Sequence, residues 1–215
     1  SSLNGWITTC PAVTVAYGSS SNCDVSVAVP KVAAGTKDSW TASAVASNDA
    51  TVTNEESDTI IVDTVTGHDL SGDTDLSGNP GDTVGYHFTI LNTGNAQEKM
   101  FYTVSSSWII DNVGGDTTLD MGDSATISVT QTIPSNAGSG ASDTVTFSVV
   151  NGDGSSTSVT TTANQVYGVT VTSGILTGLN PGGSGDLSFT VTNSGNGFDT
   201  FTIGHSGCLL YTSPS

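Results

Sequence analysis

Oxygen-bearing side chains recur along Asp69-Leu70-Ser71-Gly72-Asp73-Thr74-Asp75-Leu76-Ser77-Gly78-Asn79, and Asp73-x-Asp75-x-Ser77-Gly78 has the spacing that opens a calcium loop. Asp69, Asp73, Asp75 and Ser77 are therefore candidate ligands for Ca2+, the single cofactor the chain offers, which would act as a stiffener between domains. The twelfth loop position, where a bidentate Glu belongs, is Val84. The matching stretch Ser173-Gly174-Ile175-Leu176-Thr177-Gly178-Leu179 carries no carboxylate, so an entry strand and turn competes with the metal reading.

Cys10 and Cys23, with 12 residues between them, are the other pair with chemistry. A bridge across so short a loop stabilises a folded chain by about 3 kcal/mol and persists in oxidising compartments. Two reduced, half-buried thiols are the alternative. The third cysteine opens Cys208-Leu209-Leu210-Tyr211-Thr212-Ser213-Pro214-Ser215, which reads as a translated sequencing adaptor and is expected to be read-through. No Cys-x-x-Cys motif is present, so a zinc site built on these thiols is not expected.

Catalytic patterns are missing. His68, His87 and His205 stand apart, with no His-Glu-x-x-His, and read as exposed or edge-strand residues. The turns Gly138-Ser139-Gly140 and Gly182-Gly183-Ser184-Gly185-Asp186 lack the last glycine of a nucleophile elbow and the Lys of a phosphate loop. Trp6, Trp40 and Trp108 would be the platform for a sugar. Trp6 and Trp108 hold equivalent positions in a repeat, and Trp40 falls where Val145 sits inside an alternating strand, so packing is the reading for all three. The expectation is a protein with no catalytic and no cofactor-binding residues, not an enzyme.

The elements that carry these residues follow from composition. Of the 20 acidic residues 17 are Asp, Gly numbers 26, and Ser with Thr make about 30% of the 215 residues. Such a chain is poor in helix formers and rich in strand and turn formers, which predicts an all-β fold. Three scattered lysines, Lys31, Lys37 and Lys99, no Arg, and a net charge of −17 exclude nucleic acid as a partner. That charge keeps the chain soluble and calls for abundant salt or bound cations. No apolar run reaches the roughly 18 residues that span a bilayer, so no membrane insertion is expected within the chain. The start at Ser1, without Met, is read as the loss of an upstream segment of a longer protein.

A repeat gives the organisation. Asn79-Pro80-Gly81 recurs 101 residues later as Asn180-Pro181-Gly182, and Phe88 to Asn95 recurs at the same offset as Phe189 to Asn196. Upstream, Trp6-Ile7 matches Trp108-Ile109, Val29-Pro30 matches Ile133-Pro134, and Asp38-Ser39-Trp40-Thr41 matches Asp143-Thr144-Val145-Thr146. Domains are therefore expected at 1–63 (the back part of a truncated unit), 64–165 (a complete unit) and 166–207 (the front part of a third), with read-through at 208–215. Inside the complete unit, alternation places Val84, Tyr86, Phe88 and Ile90 on one face of a strand, opposite His87 and Thr89. Further strands are predicted at 101–105, 125–133 with Ile127 and Val129 inward, 144–150 and 157–162, the last entered through Asn151-Gly152-Asp153-Gly154. Trp6, Trp108, Pro134, Asn92, Gly94, Asn193 and Gly195 are structural candidates. The two asparagines are expected to bond backbone at a strand end, and the two glycines to take a positive φ.

The series Asn79-Pro80-Gly81-Asp82, Asn92-Thr93-Gly94-Asn95, Trp108, Gly122-Asp123-Ser124-Ala125, Ile133-Pro134 and Ala137-Gly138 resembles the Ig-like module associated with α-galactosidases. It is also similar to the cell-adhesion-related domain of bacterial and archaeal surface proteins. The resemblance implies tandem immunoglobulin-like antiparallel β-sandwich modules in a secreted or cell-surface protein. It implies a non-catalytic spacer or adhesion role, the alternative being accessory modules of a secreted hydrolase. The partners implied are neighbouring modules of the same chain and cell-surface glycans or proteins.

Overall fold

A computed structural model describes residues 3–151 and 154–207, so the expected read-through at 208–215 lies outside the described residues. Among the described residues every regular element is a strand, in keeping with the composition: β1 (Lys37–Ala46), β2 (Asp49–Ile61), β3 (His68–Gly72), β4 (Leu76–Gly78), β5 (Thr83–Asn92), β6 (Glu98–Ser105), β7 (Ile109–Ile110), β8 (Gly114–Leu119), β9 (Ser124–Thr132), β10 (Ser142–Val149), β11 (Ser155–Ala163), β12 (Val169–Ser173) and β13 (Phe189–Asn193). Among the described residues no helix is long and apolar enough to cross a membrane.

The centre of the chain is sandwich-like. One sheet has the order β3-β5-β9-β7, the other β4-β11-β10-β6-β8. Alternation decides which side chains meet between them. Tyr86, Phe88 and Ile90 of β5 and Val129 of β9 are fully buried from one side, with Val84 and Ile127 packed beside them. Met100, Val104, Leu119, Val145, Phe147, Val149 and Val159 close from the other. Phe88 stacks on Phe147 across the gap with ring centroids 4.9 Å apart, and Tyr102 stacks on Phe147 at 5.2 Å. Burying side chains of this size contributes about 1.5–3 kcal/mol each. Outside the sandwich, β1 and β2 form one antiparallel pair and β12 and β13 another. Near the N-terminus Ile7 bridges Val27, a pairing that resembles Ile109 and Ile110 of β7 against Thr132 and Gln131 of β9.

The first strand of the sandwich changes sheets. β3 runs antiparallel to β5, then the chain crosses over Asp73-Thr74-Asp75 and β4 runs parallel to β11. Each aspartate fastens one side of the crossing. Asp73 Oδ2 accepts from the His87 backbone N–H at 2.8 Å and lies 3.1 Å from His87 Nδ1, while Asp75 Oδ1 accepts from Thr160 N–H at 2.7 Å. The bonds from His87 hold the Asp73 carboxyl below its usual range.

A polar thread runs through the apolar core. Tyr86 hydroxyl bonds Thr161 Oγ1, and Thr161 bonds Gln131 Oε1. Gln131 Nε2 donates to Ser106 Oγ and to Asp143 Oδ2, each at 2.8 Å. Asp143 Oδ2 also accepts from Ser106 Oγ–H at 2.6 Å, Trp108 N–H at 2.8 Å and Ser107 N–H at 3.0 Å. Gln131 and Thr161 are completely buried. Burial alone raises the Asp143 carboxyl, but the bonds from Ser106, Trp108, Thr144 and Ser107 outweigh it and leave the group below its ordinary value of 3.8.

Asp143→Asn is therefore expected to lower the unfolding free energy at pH 7 by about 2–3 kcal/mol, measured by urea titration. A carboxyl that titrates lower in the folded than in the unfolded chain stabilises fully above the unfolded pKa and loses that contribution as pH falls through the folded one. Wild type and variant should converge below the ordinary value of 3.8. A gap that stays constant through that window would contradict the assignment.

Candidate functional site

Two loops of like sequence, Asn92-Thr93-Gly94-Asn95 and Asn193-Ser194-Gly195-Asn196, follow β5 and β13, and in each the two asparagines face different tasks. The first asparagine closes its own loop. Asn92 Nδ2 donates to Ala96 O at 2.9 Å and Leu119 O at 3.0 Å, and its Oδ1 accepts from Gly94 N–H at 2.9 Å. Asn193 repeats two of these bonds, Nδ2 to Gly197 O at 2.7 Å and Oδ1 from Gly195 N–H at 2.9 Å.

The second asparagine fastens the segment that leads into the sheet. Asn95 Nδ2 donates to Asp63 O at 2.9 Å, its Oδ1 accepts from Val65 N–H at 2.8 Å, and its own N–H donates to Val65 O at 3.0 Å. Its carbonyl accepts from Ala34 N–H at 2.8 Å, on the turn before β1. Asn196 makes the same set: Nδ2 to Asn164 O at 2.9 Å, Oδ1 from Val166 N–H at 2.7 Å, N–H to Val166 O at 3.1 Å, and carbonyl from Ser139 N–H at 2.8 Å. Asn196 Nδ2 also reaches Ala137 O at 3.1 Å. One side-chain amide and one peptide unit thus fix both the incoming chain and the loop beyond it.

Gly94 and Gly195 are needed here, but not for the reason expected, because neither has a positive φ. The constraint is space. A Cβ on Gly94 would lie 2.6 Å from Val65 O and 3.1 Å from Asn92 Oδ1, and one on Gly195 would press on Val166 O and Gly168 N. The link runs so close to the loop that no side chain fits.

The four calcium candidates are not brought together. Asp73 and Asp75 turn to opposite sheets at the crossing, Asp69 lies in β3 opposite Leu91, and Ser77 lies in β4 opposite Thr162. Among the described residues no three His, Cys, Asp or Glu side chains come together as a metal site. Cys10 and Cys23 are joined by a disulfide with Cα atoms 6.2 Å apart. Trp6 is buried, its carbonyl accepting from Ala28 N–H at 2.7 Å, and Trp108 packs against Ile133, Ala137 and Ala163. Pro134 O accepts from Ala137 N–H at 2.9 Å, closing the turn after β9. Asn95 and Asn196 carry no separate signal within one loop. Their identical offset from Asn92 and Asn193 is the trace that marks them.

No family model and no curated protein matches the chain. Among solved structures, it is similar to the ASH / PapD-like domain 7 of human CEP192, at 10% identity and a TM-score of 0.30, over 44% of this chain and 84% of that one. It is also similar to Salmonella alpha-2-macroglobulin reacted with methylamine, at 9% identity and a TM-score of 0.36, over 71% of this chain and 10% of that one.

Two measurements check these assignments. Asn92→Ala should cost about 2 kcal/mol and Gly94→Ala about 1–3 kcal/mol by urea unfolding, and unchanged midpoints in both would remove the loop's role. Alkylation of the denatured, unreduced chain should modify one cysteine, Cys208, and reduction should raise the number to the full three. Three modified thiols before reduction would show Cys10 and Cys23 unbridged.

Proposed function

We propose that this chain is a non-catalytic spacer or adhesion segment of a large secreted or cell-surface protein, built from tandem Ig-like units at 1–63, 64–165 and 166–207. The observation that carries the reading is the joint: the four bonds made by Asn95 recur at Asn196, three of them with partners displaced by the same 101 positions, Asp63 to Asn164 and Val65 to Val166, and the fourth with Ser139 in the place of Ala34. A connection built the same way twice sets the same relation between neighbours each time, which is what an array meant to hold its ends apart requires. The Cys10–Cys23 bridge supports an oxidising, extracellular setting. The partners in this reading are the neighbouring units of the chain and cell-surface glycans or proteins.

Small-angle scattering on the chain should show an elongated particle, and a compact one would remove the spacer role. The stiffness of the joint is read separately, from the distance between spin labels at Thr53→Cys and Ser158→Cys in a Cys208→Ser background. The distribution should be narrow, and Asn95→Ala should broaden it while the particle stays elongated. Equal widths would assign the angle to something other than Asn95.

A further inference from the structure

Among the described residues, three buried side-chain polar atoms have no hydrogen-bond partner: His68 Nε2, Glu98 Oε2 and Ser155 Oγ. All three residues line one cavity of about 250 Å³, at the starts of β3, β6 and β11, with Thr66 and Thr93 on its wall. Buried polar atoms go unpaired rarely, because each costs the desolvation of its group. Three such atoms, gathered at one void, describe a space shaped for a guest.

We propose that this cavity binds a divalent transition-metal cation such as Zn2+, held by His68 Nε2 and the Glu98 carboxylate, with water completing the shell and the Ser155 hydroxyl bonded to that water. Charge selects the sign of the guest. Glu98 has no ion-pair partner among the described residues, since the adjacent Lys99 ammonium sits 3.1 Å from Asp116, and the chain carries a net charge of −17. Donor chemistry selects its kind. An imidazole nitrogen beside a carboxylate suits Zn2+ better than Ca2+ or Mg2+, which prefer oxygen alone. The volume accommodates an ion with several waters at about 30 Å³ each. No Trp, Tyr or Phe lines the cavity among the described residues, so it lacks the usual stacking platform for a sugar.

The imidazole is not a fixed part of the repeat. At the repeat offset of 101, Val169 stands for His68 and Asp199 for Glu98, whereas the asparagines of the joint are kept. The site therefore belongs to one place in the chain and is independent of the spacer reading.

The test is calorimetric titration of the chain, in a Cys208→Ser background and without a histidine tag, with ZnCl2 and separately with CaCl2. One Zn2+ should bind per chain, Ca2+ far more weakly, and Glu98→Gln and His68→Gln should each weaken Zn2+ at least about tenfold. Asp73→Asn, which touches the exposed His87, should bind as wild type does. Because a variant can fail to fold, the imidazole 15N shifts of His68 are followed in the unmutated pocket, and Zn2+ should move Nε2 of His68 before His87 or His205. Unchanged affinity in both folded variants, a response at His87 or His205 alone, or no binding at about 1 mM Zn2+ would overturn the proposal and leave ordered water as the occupant.

Discussion

The bond between Gln131 and Asp143 is the point on which the sandwich turns. Gln131 belongs to β9 in one sheet and Asp143 to β10 in the other, so their contact is a polar link across a mainly apolar gap. Hydrophobic side chains press the sheets together without direction, whereas a carboxylate that accepts four N–H and O–H donors is satisfied in one alignment only. A slip of one residue in β9 would turn Gln131 to solvent and take from Asp143 and Thr161 the bonds that join them through its amide. Tyr86 and Thr161 extend the constraint towards β5 and β11, and Trp108 extends it to the segment before β7. Asp38, fully buried and bonded by Asn4 N–H, holds the corresponding place before β1's tryptophan.

The core strands were legible because their alternation is strict. Val84, Tyr86, Phe88 and Ile90 point inward, as the period of two requires, and Ile127 and Val129 do the same. Gln131 continues that inward series two residues after Val129, yet a polar residue at an inward position says only that a partner must exist. The partner, Asp143, lies 12 residues away on the facing sheet, and local pattern holds no information about it. Asp73 and Asp75 show the opposite difficulty. Alternating carboxylates look like ligands for an ion, but a strand that leaves one sheet for another exposes backbone N–H groups on both sides, and here those groups are what the carboxylates serve. Gly94 was legible as necessary and misread in cause. A positive φ is a property of the residue alone, whereas the crowding by Val65 O depends on a chain segment some 29 residues earlier.

The Asn-x-Gly-Asn loop does two jobs within four residues. Asn92 is buried and ties the end of β5 to the end of β8 in the facing sheet, while Asn95 turns to the link and the preceding turn. Because both act through backbone carbonyls and N–H groups, the side chains of the partner residues are free to vary. Asp63 and Asn164, or Ala34 and Ser139, occupy equal places without sharing chemistry. This explains how the connection recurs although the sequences around it differ.

The parallel pairing of β4 with β11 has a mechanical consequence. β4 lies near the entry of the sandwich and β11 ends at the link that leads into β12, so tension along the chain pulls these two strands past each other instead of peeling them apart. Leu76, Ser77 and Gly78 against Thr161, Thr162 and Ala163, with Asn164 N–H on Gly78 O and Thr160 N–H on Asp75, are then loaded together in shear. Bonds loaded side by side must break at once, whereas an unzipped pair breaks one at a time. The short strand that switches sheets is thus a clasp that a stretching force would load in shear.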